Sequence, residues 1–183
     1  MWTIPNLLTL SRIVAVPLLV AAMWGRDRTG YWIGFALFVT AAATDWLDGW
    51  LARRNGQTSA LGRFLDPIAD KVMIAAVLIL LLAQGYIAHA GVVATMIVLI
   101  RELVVSGLRE YLGPLGVVMP VSRLAKWKTA TQMLALSLLI LTPLRLGLEI
   151  AVAGALLLWV AAILSLVTGW SYLRIGFAHM KAV

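Results

Sequence analysis

Cysteine is absent from the chain. That excludes a disulfide framework, thiolate metal sites and a cysteine nucleophile. Charge is scarce: only 13% of the 183 residues are charged, and eight are acidic. A soluble domain carries about 25% charged residues. There are two histidines, His89 and His179, and neither carries a functional reading. What fills the space is apolar. Hydrophobic residues make up 62%, and the mean hydropathy is +0.96. A water-soluble fold of this size could not hide that much apolar surface, so the expected solvent is lipid.

Six apolar segments run over roughly 7–24, 31–51, 67–86, 89–111, 126–143 and 149–172. Turn residues or charge separate them, as in Gly25-Arg26-Asp27-Arg28, Arg53-Arg54-Asn55-Gly56, Gly113-Pro114 and Thr142-Pro143. Backbone that faces lipid must satisfy its own hydrogen bonds, so the segments are expected to be helices. The chain is expected to be an all-α integral membrane protein with six transmembrane helices, forming one domain over residues 1–183. The first apolar stretch follows Met1–Pro5 without a basic leader and reads as a retained helix.

The net charge is +7. Its distribution fits membrane orientation and anionic headgroups better than nucleic-acid binding. Arg53, Arg54, Arg63, Arg109, Arg123, Lys126, Lys128, Arg174 and Lys181 fall on one side of a six-span arrangement, against Arg26, Arg28 and Arg145 on the other. The positive-inside rule then puts both termini in the cytoplasm. Tryptophans near the segment ends, such as Trp24, Trp32, Trp50 and Trp170, mark depth as interfacial anchors do.

Against this background four of the eight acidic residues crowd into one stretch: Asp45, Asp48, Asp66 and Asp70. An ionisable residue at a helix centre in a membrane costs roughly 2.5–3.5 kcal/mol. Like charges side by side add repulsion. Asp45, Asp48, Gly49 and Ala52 share one helix face, and Gly62, Asp66 and Asp70 share another. Hard divalent cations such as Mg²⁺ or Mn²⁺ take all-oxygen shells and would cancel the charge. Two such ions could clamp a pyrophosphate and polarise its phosphorus. Gly49 and Ala52 leave room for a nucleotide to approach, Gly62 either does the same or breaks the loop, and Arg53 is a candidate phosphate donor. The blander alternative is caps and ion pairs: Asp66-Pro67 has the form of an N-cap with proline at N1, and Asp70 could pair with Lys71 or an arginine.

The stretch Asp45-x2-Asp48-Gly49-x2-Ala52-Arg53-x8-Gly62-x3-Asp66-x3-Asp70 resembles the signature of the CDP-alcohol phosphatidyltransferases. Three further segments resemble the phosphatidylglycerophosphate synthase branch of that family. They are Ile4-Pro5-Asn6-Leu7-Leu8-Thr9-Leu10-Ser11-Arg12, the run from Arg101 to Glu110, and Lys126-Trp127-Lys128-Thr129 with Gln132-Met133, where Ala125 replaces the usual glycine. The resemblance implies a homodimer whose site opens to the cytoplasmic leaflet of the inner membrane. It implies CDP-diacylglycerol as donor, lodged by Asp48, Gly49, Ala52 and Arg53. Asp45, Asp48 and Asp66 would hold two metal ions, and Asp70 would be a general base close to them.

Positive charge left over after this assignment marks an acceptor site, with Arg101, Arg109, Lys126 and Lys128 as its candidates. A dianionic acceptor such as glycerol 3-phosphate needs such a cluster. The alternative is orientation charge. Ser106 would hydrogen-bond the acceptor or its own helix carbonyl. Asn6 and Thr9 are candidates to touch the nucleotide, Thr9 being equally a helix cap. Other acceptors within the same chemistry are phosphatidylglycerol, serine and inositol phosphate. A divalent-cation transporter is the remote alternative, and it would need polar residues continuing to the far side.

Overall fold

The computed structural model describes residues 4–55, 60–117, 119–120 and 122–180; of residues 4–8, 45–55, 60–64 and 66 it describes the backbone alone. Every regular element among them is helical. These are α1 (Ile4–Trp24), α2 (Arg28–Asn55), α3 (Ala60–Ala83), α4 (Ala90–Leu112), α5 (Arg123–Leu141), a 3₁₀ turn (Thr142–Leu144) and α6 (Leu148–Met180). Each expected apolar segment falls on one of the six helices. The helices α2, α3 and α6 run past the apolar stretches, because their ends are polar and hydropathy does not register them.

The start of α3 differs from expectation. The helix begins at Ala60 and holds Pro67 inside it. Asp66 and Pro67 are therefore not an N-cap pair. Thr9 likewise sits inside α1, past its first turn, and is no cap.

The chain divides into two compact units. The first contains residues 1–86 and 136–151. In it α1 packs against both α2 and α3. Asp27 caps α2: its Oδ2 accepts from the Gly30 N–H at 3.2 Å, so the chain reverses in three residues. Gly30 lets the helices meet, since a Cβ there would collide with the Ala22 carbonyl oxygen. One turn on, a Cβ at Gly34 would come within 2.5 Å of Met23. The far end of α3 closes as a Schellman motif: Tyr86 N–H reaches Leu81 O, Gly85 N–H reaches Leu82 O, and Gly85 takes φ 81°. That turn is tied down through Gln84, which accepts from Tyr31 Oη (2.8 Å) and donates to Met23 O (2.8 Å).

The second unit contains residues 87–135 and 152–183. Its organising element is the stripe of α6 that faces inward: Leu158, Ala161, Ala162, Ser165, Thr168, Gly169, Tyr172 and Gly176. Most are small or polar. The outward residues of α6, among them Leu156, Val160, Ile163, Leu166 and Trp170, are large and apolar. That is the reverse of a soluble helix, and it is what a lipid-facing helix requires. Small residues let α6 approach α4 closely: a Cβ at Gly176 would lie 2.7 Å from Leu108 Cδ1, and one at Gly169 would lie 3.2 Å from Arg101 Cγ. Among the described residues, α4 and α6 are each long and apolar enough to cross a bilayer.

Candidate functional site

The aspartate signature lies in the first unit. α2 is unbroken through positions 45 and 48, and α3 is unbroken through 62, 66 and 70. The helical register therefore keeps each pair on one face, as expected. The side chains of Asn6, Asp45, Asp48, Gly49, Ala52, Arg53, Gly62 and Asp66 lie outside the described residues. Among the described side chains no group of three potential ligands gathers, and three of the four expected ligands fall outside that set.

Asp70 is the described member of the quartet. Its Oδ1 accepts a hydrogen bond from Arg12 Nη1 at 2.6 Å. Arg12 comes from α1, 58 residues earlier, and its side chain is only 4% exposed, whereas that of Asp70 is 40% exposed. The guanidinium sits in the interior and the carboxylate at its edge. So Asp70 does pair with an arginine, as the blander alternative held, and not with Lys71, which donates to Pro67 O. The pair does not preclude a metal role, because a carboxylate offers about four acceptor sites. The donor set also suits a hard cation: oxygen ligands only, in helical register, with one buried cation to balance the excess charge. Thr9, expected at the nucleotide, is buried one turn before Arg12.

A groove of about 410 Å³ runs between α1 and α2. Arg12, Ser11 and Thr44 line it together with apolar residues such as Val14, Leu18 and Leu37. Thr44 Oγ1 bonds its own helix carbonyls, at Thr40 (2.7 Å) and Ala41 (2.9 Å), so it adds little polarity.

The second unit gathers most of the expected acceptor residues. Arg101 Nη2 donates to Thr168 Oγ1 at 3.2 Å, and Arg101 Nη1 lies 3.6 Å from Glu102 Oε2. Lys128 Nζ donates to Glu102 Oε1. Arg109 Nη2 donates to Tyr172 Oη at 3.0 Å, and its guanidinium carbon lies 4.9 Å from the centre of that ring. Arg101 is 5.8 Å from the same ring centre. Tyr172 Oη in turn donates to Pro120 O at 3.3 Å. Arg101 and Lys128 thus share the Glu102 carboxylate, while Arg109 joins the cluster through the Tyr172 ring that Arg101 also approaches, and the three cations outnumber Glu102 by two.

Lys126 is not in this cluster. It is exposed and lines a separate surface groove with Arg123 and Trp127. Two residues from Lys128, it stands about 200° around the helix. Ser106 is half-buried on α4. Sequence reasoning misses Thr168 and Tyr172, because inside an apolar helix they read as incidental polarity. Their signal is periodic: they share a face with Gly169 and Gly176.

Several buried polar atoms of the described residues have no hydrogen-bond partner: Thr95 Oγ1, Arg101 Nε, Ser165 Oγ, and both amide atoms of Gln132. All of these belong to the second unit. Each such group costs about 1–3 kcal/mol if left unsatisfied.

Comparison with known proteins bears on both clusters. A family model described as CDP-alcohol phosphatidyltransferase matches residues 2–167. A Rickettsia felis protein named CDP-diacylglycerol–glycerol-3-phosphate 3-phosphatidyltransferase is 41% identical over 172 residues, covering 93% of this chain and 93% of that protein. A Pseudomonas fluorescens protein of the same name is 39% identical over 184 residues, covering 97% of this chain and 92% of that one. A chloroplastic/mitochondrial relative from Arabidopsis thaliana, again of that name, is 42% identical over 184 residues, covering 94% of this chain and 62% of its own length. The family match takes in the four aspartates, Arg12, Arg101, Arg109 and Lys128, and on it the chain belongs to the CDP-alcohol phosphatidyltransferase family.

Proposed function

We propose that the chain transfers the phosphatidyl group of CDP-diacylglycerol to sn-glycerol 3-phosphate, giving phosphatidylglycerophosphate and CMP. The observation that supports the acceptor is a cluster in which Arg101 and Lys128 share the Glu102 carboxylate and Arg109 stands beside Arg101 on the Tyr172 ring. Its surplus of two positive charges matches a phosphate dianion, and guanidinium forks suit phosphate oxygens. The names borne by the relatives agree with this reaction.

Donor and acceptor fall to different residues. The CDP-lipid is assigned to Asn6, Thr9, Asp48, Gly49, Ala52, Arg53 and Gly62. The groove beside Arg12 has the polarity of a lipid ester, apolar along its length with a charge among its lining residues. Asp45, Asp48, Asp66 and Asp70 would hold two divalent cations, Mg²⁺ or Mn²⁺, which supply charge neutralisation at the pyrophosphate when bound. Asp70 is the base that takes the proton of the acceptor hydroxyl. Arg12 fixes the direction of that carboxylate, so that it is ready to accept. The acceptor oxygen bonds to the β-phosphorus as the bond to CMP breaks. Positioning of the two phosphates supplies most of the rate.

We place all six helices across the inner membrane as one catalytic domain, with both termini and the site on the cytoplasmic side, and the protein as a homodimer. The outward apolar and inward small residues of α6 support a lipid environment. The test is purified protein in proteoliposomes with CDP-diacylglycerol and, in turn, glycerol 3-phosphate, phosphatidylglycerol, serine and inositol phosphate. Phosphatidylglycerophosphate formed with the first alone is the expected result. A product with a neutral acceptor instead would overturn the acceptor assignment, and ion flux without CMP release would make the chain a transporter.

A further inference from the structure

Gln132 lies on α5 one turn beyond Lys128, on the same buried face. It is 0% exposed, and neither its amide nitrogen nor its amide oxygen has a partner. A methionine would fill the same space with no polar group to desolvate. The layer it belongs to can be read from the helix register of the second unit. α4 and α6 run parallel, because Arg101 meets Thr168 and Gly169 while Leu108 meets Gly176. α5 returns against them, with Pro120 ahead of it at Tyr172 and Lys128 at Glu102. One turn beneath the layer of Arg101, Glu102, Lys128 and Thr168 therefore come Gln132 and Ser165, with Thr95 slightly deeper. Ser165 Oγ and Thr95 Oγ1 are also buried without partners. Neutral donors and acceptors from three helices thus lie under a layer of cations.

We propose that Gln132 binds the non-reacting hydroxyl of the acceptor, and so sets its specificity for a polyol phosphate. This rests on the transferase function proposed above. A polyol phosphate has both kinds of group this unit offers partners for: a dianionic phosphate for the cations, and hydroxyls that can donate and accept. The Gln132 amide does both, through Nε2 and Oε1.

The experiment uses the full chain in mixed micelles, with CMP release followed for glycerol 3-phosphate and for 3-hydroxypropyl phosphate, which lacks the second hydroxyl. Wild type should prefer glycerol 3-phosphate. Gln132→Met should raise its KM about tenfold, bring the KM values for the two acceptors together, and leave the KM for CDP-diacylglycerol in place. Thermal melting gives a readout apart from turnover. Without acceptor, Gln132→Met should melt at or above wild type, and glycerol 3-phosphate should stabilise wild type more than the variant. Gln132→Met that keeps the wild-type KM and preference overturns the proposal. So does a variant that melts well below wild type or fails to fold, since the amide would then be structural. Wild type that releases CMP from glycerol 3-phosphate without preferring it also counts against Gln132 but leaves the reaction standing. Wild type inactive with glycerol 3-phosphate removes the reaction and the proposal together.

Discussion

Arg12 on the first helix holds Asp70 on the third, with Nη1 2.6 Å from Oδ1. The two residues are 58 positions apart, and the arginine is almost wholly enclosed while the carboxylate is partly open. A buried cation tolerates its position only with an anion beside it. The N-terminal segment is thereby coupled to the aspartate signature: α1 supplies the charge that fixes the direction of the last carboxylate.

Replacing Arg12 by glutamine should remove that coupling. The enclosed end of the pair loses its charge, and the half-exposed Asp70 loses the hydrogen bond that Arg12 gives it. Discounted for the exposure of Asp70, the expected destabilisation is about 1–2 kcal/mol. The turnover should fall further than the stability does. Comparing thermal melting with CMP release for Arg12→Gln checks this, and an unchanged turnover contradicts it.

Asp70→Asn keeps the shape of the side chain and its hydrogen bond from Arg12 while removing the basic oxygen. It should abolish turnover and leave CDP-lipid binding partly intact, as seen by retention of CDP-diacylglycerol on the purified variant. Full activity in that variant refutes Asp70 as the base.

Glu102 and Lys128 form an enclosed pair, with side chains 15% and 4% exposed. Removing one partner strands the other charge, so Glu102→Met alone should cost about 3–5 kcal/mol. Glu102→Met with Lys128→Met removes the stranded lysine but leaves Arg101 without its carboxylate, so it should regain part of the lost melting temperature. It should not regain turnover with glycerol 3-phosphate, because a cation of the acceptor cluster is gone. A double variant as unstable as the single one contradicts the role of the pair.

Glycines separate close packing from open space. At Gly30 a Cβ meets the Ala22 carbonyl oxygen, a backbone atom that cannot move aside. At Gly107 nothing lies within 4 Å. Gly30→Ala should lower the melting temperature sharply by separating α1 from α2. Gly107→Ala should be neutral or add up to about 1 kcal/mol. Equal effects at the two sites contradict the α1–α2 packing.

Much of this arrangement is legible in the amino-acid sequence. Apolar runs mark the six α-helices of the described residues, and a backbone in apolar surroundings pairs its own polar groups most simply as a helix. The registers of Asp45 with Asp48 and of Asp66 with Asp70 follow from helix geometry alone. Pro67 misleads, since a proline after an aspartate has the local form of a helix start while tertiary context holds it inside α3. Arg12 as the partner of Asp70 has no local signal, being set by the packing of α1 on α3. Tyr172 and Thr168 are concealed in an apolar helix whose buried face shows only as a spacing of small residues. Proximity in sequence groups Lys126 with Lys128, although two residues along a helix point apart.

If cations held by the aspartate quartet enable transfer to glycerol 3-phosphate, the most direct test is CMP release from CDP-diacylglycerol with that acceptor, before and after chelation and after Mg²⁺ or Mn²⁺ is returned. The expected result is release that stops with chelator, resumes with either or both ions, and is lost in Asp45→Asn whatever ion is added. Undiminished release in chelator would contradict it.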